Sequence, residues 1–135
     1  MTARLAHTTD VAIWAEGYSL QELFRAALRE MNEVLLPGSC TGVTHYDCNM
    51  RIRLQAADAT ALLIDFLSEA LALTYIQKAI FCYVYFERLT EREVAANLYG
   101  AWFGEVENEI KAVTWHEARV QQVEGKWQTP VLFDL

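Results

Sequence analysis

From Val11 to Gly17 the residues Val11, Ile13 and Ala15 alternate with Ala12, Trp14 and Glu16, a two-residue period that predicts a strand closing at Gly17. Ser19 and Glu22 then form an S-x-x-E capping box. Behind it Leu20, Leu23, Phe24, Ala27, Leu28, Met31 and Leu35 recur every three or four positions, predicting an amphipathic helix that Pro37-Gly38 closes. Between Tyr46 and Gln55 the alternation returns. Tyr46, Cys48, Met50, Ile52 and Leu54 take one face and Asp47, Asn49, Arg51, Arg53 and Gln55 the other, so this strand has a dry side and a wet side. Asp58 reads as the N-cap of a second helix whose buried stripe is Leu62, Leu63, Phe66, Leu67, Ala70 and Leu71.

Both helices need a sheet to cover, and the remaining chain supplies strands. Residues 80–88 are β-branched and aromatic, 91–99 alternate again, and 110–123 read as a strand running into the hairpin turn Glu124-Gly125, which feeds 127–135. Residues 101–108, with Gly104 and several acids, read as a loop. Short connections make the strands antiparallel neighbours. The expected fold is therefore α+β, a mostly antiparallel sheet with two amphipathic helices packed on it.

Length and charge narrow the picture. The 135 residues suit a single domain, 1–135, long enough to hold a core without staples. Eleven basic residues against 18 acidic ones give a net charge of −7, which repels phosphate backbones and disfavours tight autonomous RNA binding. A basic protein partner or a cation suits the chain better. The three cysteines, Cys40, Cys48 and Cys82, are odd in number and lack C-x-x-C spacing, so no disulfide framework or thiolate zinc site is expected and a reducing cytoplasm fits. Cys48 and Cys82 read as core residues. No leader-like segment follows Met1 and no consecutive apolar run matches a bilayer, so no membrane association is expected.

Candidate chemistry sits at the two ends of the chain. His7-Thr8-Thr9-Asp10 stands at the entrance to the first strand, Lys111-Ala112-Val113-Thr114-Trp115-His116 lies in a late one, and Phe133-Asp134-Leu135 closes the last. Side chains of opposite strand ends can converge, and oxygen ligands such as Asp10 and Asp134 select hard or borderline cations: Ca²⁺, Mg²⁺ or Mn²⁺. Taken singly, an Asp before a strand is a turn former and a C-terminal Asp a frayed residue. An imidazole at a strand end more often orients ligands by hydrogen bonds than binds such ions, which casts His7 and His116 in that role. Lys111 would share a face with Val113 and Trp115, either snorkelling to solvent or approaching the carboxylates or a phosphate. No P-loop or G-x-G-x-x-G appears and no nucleophile has a patterned partner, so no catalytic residue is assigned.

These segments, in this order and with these gaps, resemble the archease family, whose members carry an H-T-x-D entry motif, a K-A-x-T-[YW]-H strand and a D-[IL] terminus. The resemblance spans nearly the whole chain. It implies an accessory protein that promotes guanylylation and multiple turnover of the GTP-dependent RNA-splicing ligase, which joins 3′-phosphate or cyclic-phosphate RNA ends to 5′-hydroxyl ends in tRNA splicing. It also implies that Asp10 and Asp134 carry a divalent metal with an oxygen from Leu135, that Lys111 matters functionally, and that RNA is met only through the ligase. One departure stands out: archeases commonly place an acid directly before the motif's His, where this chain has Ala6. A weaker or differently completed coordination shell is the expected consequence. Two other readings use the same residues: a stand-alone metal-dependent phosphate or ester hydrolase, or a chaperone-like binding module presenting Trp14, Trp102 and Trp127.

Overall fold

The computed structural model describes residues 10–135. Strand β1 (Asp10–Gly17) is followed by helix α1 (Leu20–Leu35), β2 (Cys48–Gln55), α2 (Ala59–Gln77), β3 (Ala79–Leu89), β4 (Glu93–Trp102), β5 (Ala112–Thr114), β6 (Gln121–Val123) and β7 (Lys126–Asp134). Helix α1 starts where its capping chemistry dictates. The Ser19 hydroxyl accepts from the Glu22 N–H, while the Glu22 carboxylate accepts from the Tyr18 N–H, one residue before the usual partner. At α2 the Asp58 carboxylate accepts from the Ala61 N–H, and Lys78, at φ 55°, ends the helix in the left-handed region.

The strands form two antiparallel sheets instead of one. The first has β7 at its centre, paired with β1 along its length and with β5 and β6 on its other edge. In the second, β4 lies between β2 and β3. Each helix touches strands of both sheets, and one continuous core joins them, with Phe24, Phe66, Phe81 and Phe133 among its fully buried side chains. Burial on two sides explains why α2 departs from the amphipathic expectation. Its buried set adds Ala59, Ile64, Leu73 and Thr74 to the expected stripe, and by length and composition it matches a membrane span, which the count of consecutive apolar residues did not suggest. Here it is a core helix.

Two further expectations change. The strand expected over 110–123 is two short strands, because the chain turns between them: Ala118 N–H donates to the Trp115 carbonyl and Glu117 takes φ 63°. The Glu124-Gly125 hairpin does form, with φ of 51° and 81°, the pair of positive values a two-residue primed turn demands. The cysteine reading is also corrected. Cys40 and Cys82 are joined in a disulfide across 42 residues of sequence, their Cα atoms 5.5 Å apart, because pairing follows spatial approach and not spacing along the chain. This removes the cysteine argument for a reducing compartment. Cys48 remains free; burial, helped by the Asp47 charge, pushes its thiol pKa up and keeps it protonated.

Candidate metal site at the meeting of the first and last strands

Asp10 opens β1 and Asp134 closes β7, and the register of the antiparallel pair sets them directly opposite each other. Residues so placed point to the same face with Cβ atoms about 5 Å apart, close enough for two carboxylates to share one cation. Ala112 of β5 is the partner of Asp134 on its other side. The row across the sheet is therefore Asp10, Asp134, Ala112. It lies on the solvent side, since Asp10 is exposed and Asp134 half-buried, whereas Phe133 beside it is fully buried in the core. Phe133 anchors the strand and fixes the direction in which Asp134 projects.

The β5 edge is held by two further contacts. The Lys111 N–H donates to the Asp134 carbonyl at 2.6 Å. The Tyr75 hydroxyl of α2 donates to the Ile110 carbonyl at 2.7 Å and accepts from the Ile110 N–H at 2.8 Å, closing both backbone groups of a fully buried residue. Burial pushes the Tyr75 phenol pKa up, with Glu109 adding to the effect against the Ile110 hydrogen bond, so the neutral form that donates is the one present. Tyr75→Phe is expected to cost about 1–3 kcal/mol in chemical denaturation, the penalty for orphaning buried polar groups, with faster amide exchange along β5.

The other sequence-derived residues are not gathered at this row. Lys111 lines a hollow of about 340 Å³ with Ser68, Leu71, Ala72, Tyr75, Ala112 and Val113, against α2. No ion pair joins it to Asp10 or Asp134 among the described residues. His116 lies beyond the end of β5, its Nε2 3.5 Å from the Glu117 carboxylate. Leu135 is half-buried and packs against the core. His7, with Ala6, Thr8 and Thr9, lies outside the described residues. Among the described residues no group of three or more His, Cys, Asp or Glu side chains is placed to hold a metal; the pair supplies two carboxylates, and further ligands must be main-chain oxygens or water. That donor set fits a hard divalent cation and not zinc. The three tryptophans share no face: Trp14 and Trp127 fall on opposite sides of the first sheet by register, and Trp102 ends β4 in the second.

Two antiparallel sheets closed around two helices, with opposed acids where the first and last strands meet, define a small α+β module that presents a carboxylate pair at a sheet margin. The chain belongs to the Archease protein family (MTH1598/TM1083), whose model matches residues 3–135. Among its relatives, the archease of Methanosarcina acetivorans is 30% identical over 97% of this chain and 93% of that protein. The Methanosarcina mazei archease is 29% identical over the same shares. The solution structure of a Methanobacterium thermoautotrophicum protein superposes with a TM-score of 0.73 at 26% identity, covering 95% of this chain and 94% of the other. A Thermotoga maritima archease, described as a possible chaperone, has the same fold, with a TM-score of 0.66 at 19% identity over 96% and 93% of the two chains.

Proposed function

We propose that this protein is an accessory factor of the GTP-dependent RNA-splicing ligase, promoting guanylylation of the ligase and its multiple turnover in tRNA splicing. The observation that carries this reading is the direct opposition of Asp10 and Asp134, in a chain of the archease family. Among the described residues no ion pair neutralises the two acids. Asp10 and Asp134 hold a divalent cation, Ca²⁺, Mn²⁺ or Mg²⁺, with an oxygen of Leu135 and water completing the shell. When bound, the cation offers positive charge to a triphosphate and helps fix its geometry near a nucleophile.

The chain's own residues provide the placement. Phe133 and Val113, buried on the opposite face, fix the strands, and the Tyr75–Ile110 and Lys111–Asp134 contacts set the β5 edge beside the acids. Lys111 and His116 stand on neighbouring surfaces, where they meet the ligase and not the cation. The covalent chemistry belongs to the ligase, and the cytoplasmic setting follows from that partnership. A purified ligase assayed with and without this protein tests the reading. Guanylylation and product yield should both rise with this protein present, and Asp10→Asn or Asp134→Asn should remove most of the gain. Unchanged yields with the parent protein overturn it.

A further inference from the structure

The outer face of the second sheet is built unlike the rest of the surface. Cross-strand register sets Asn49, Tyr99 and Tyr83 in one row, Arg51, Asn97 and Tyr85 in the next, and Arg53, Ala95 and Arg88 in the third. Two register shifts in β3 create this face. The first, between Phe81 and Tyr83, leaves Cys82 as the extra residue, so Phe81 stays fully buried while Tyr83, two positions on, turns to solvent and is 43% exposed. The second, between Phe86 and Arg88, likewise separates buried Phe86 from exposed Arg88. Regular alternation would send both pairs to a common side. The first bulge is held by buried Asn32, whose amide donates to the Phe81 carbonyl at 2.9 Å.

At one end of the face three tyrosine rings gather. Tyr83 and Tyr99 lie 5.8 Å apart at 24°, Tyr46 and Tyr83 6.5 Å apart at 22°, and Tyr46 and Tyr99 6.0 Å apart at 37°. Tyr46 comes from the segment after α1, which the Cys40–Cys82 disulfide ties beside Tyr83. A hollow of about 290 Å³ opens there among Tyr46, Asp47, Cys48, Asn49 and Tyr99. The Asp47 carboxylate accepts from the Trp102 N–H. At the other end Arg53 and Arg88 line a second hollow of about 340 Å³ with Glu93, which pairs with Arg88. Arg51 between them is held by Glu87 at 2.7 Å. The rows of Asn49 and Arg53 are four residues apart on β2, roughly 13 Å.

We propose that this face binds single-stranded nucleic acid, with bases stacking on Tyr83, Tyr99 and Tyr46 and a phosphate of the same strand meeting Arg53 and Arg88. The inference goes beyond the ligase reading and does not need the carboxylate pair. The exposed rings of Tyr46 and Tyr83, with half-buried Tyr99 beside them, offer faces to any base, the amides of Asn49 and Asn97 lie on the same face to meet base edges, and two guanidinium groups against one carboxylate make the phosphate end electropositive. The chain's net charge of −7 opposes a polyanion, so stacking and not counterion release supplies most of the affinity. Duplexes, whose bases present no free faces, are excluded.

Fluorescence anisotropy with a labelled oligouridylate of about ten nucleotides tests this. The parent should bind saturably with a shallow salt dependence, Tyr83→Ala should weaken binding about ten-fold, and Tyr83→Phe should match the parent, since it keeps the ring. Arg53→Gln should weaken binding a few-fold and flatten the salt dependence, a duplex of the same length should not compete, and Asp10→Asn should bind as the parent does. Absence of saturable binding, or equal binding by Tyr83→Ala, overturns the proposal. So does a Tyr83-dependent complex with a proline-rich peptide in place of the oligonucleotide.

Discussion

Asp134→Asn is expected to reverse the sign of its own effect on stability depending on whether a divalent cation is present. Without metal, two carboxylates directly opposite on neighbouring strands repel, and removing one charge should stabilise the fold by a few tenths to about 1 kcal/mol. With Ca²⁺ or Mn²⁺ at about 100 times its dissociation constant, the parent gains about 2.7 kcal/mol because the ion binds only the assembled pair, and the variant gains little. For a chain of this size the difference is roughly 10 °C in Tm. Asp10→Asn should behave alike, because the two acids contribute equally to the shared position. Thermal unfolding of parent and variants, in chelator and in saturating cation, reads both signs at once. A parent indifferent to cation, or variants that follow it in both conditions, removes the pair as a metal site.

The second large effect concerns the Cys40–Cys82 disulfide. Closing 42 residues of sequence into a loop restricts the unfolded chain by about 4 kcal/mol in the loop-entropy account. That is a large share of the stability of an ordinary domain. Serine at both positions should lower the unfolding free energy by about that amount while leaving the helix and strand content intact, and reductant should bring the parent to the same midpoint. Denaturant titration with and without reductant measures it. A parent whose midpoint ignores reductant, and equals that of the double variant, contradicts the assignment of a stabilising bridge.

Much of this architecture is written locally. Ser19 and Asp58 mark both helix starts because capping depends on residues within one turn, and alternation over 11–17 and 46–55 locates β1 and β2, the latter starting two residues later at Cys48, because a half-wet strand imposes a period of two. Glu124-Gly125 locates the hairpin for the same local reason. What escaped depends on tertiary approach. Division into two sheets cannot be read from strand patterns that are alike in both. The turn between β5 and β6 was hidden because Ala118 and Val120 are apolar enough to continue a strand, although they are half-buried under a bend. The Cys40–Cys82 bridge required knowing that the segment after α1 lies against β3. The bulges of β3 fall in the run Phe81-Cys82-Tyr83-Val84-Tyr85-Phe86, where every residue is a good strand former and broken alternation is the one trace of them.

The candidate site shows the same division. Asp10 and Asp134 were singled out through the family resemblance, since either acid alone reads as a turn former or a frayed end, and the register of β1 and β7 gives the pair its geometry. Lys111 and His116 lie in one short segment of sequence, and the structure sets Lys111 at the β5 edge beside α2, its N–H on the Asp134 carbonyl, while His116 falls past the end of β5 at Thr114.

Crystals grown with Mn²⁺ and measured for anomalous scattering test most directly whether the two acids share an ion. The account predicts a single strong peak between β1 and β7, within about 2.6 Å of an oxygen from each of Asp10 and Asp134. Both carboxylates ordered in the electron density with no anomalous peak between them, or Mn²⁺ bound by one acid alone, would contradict it.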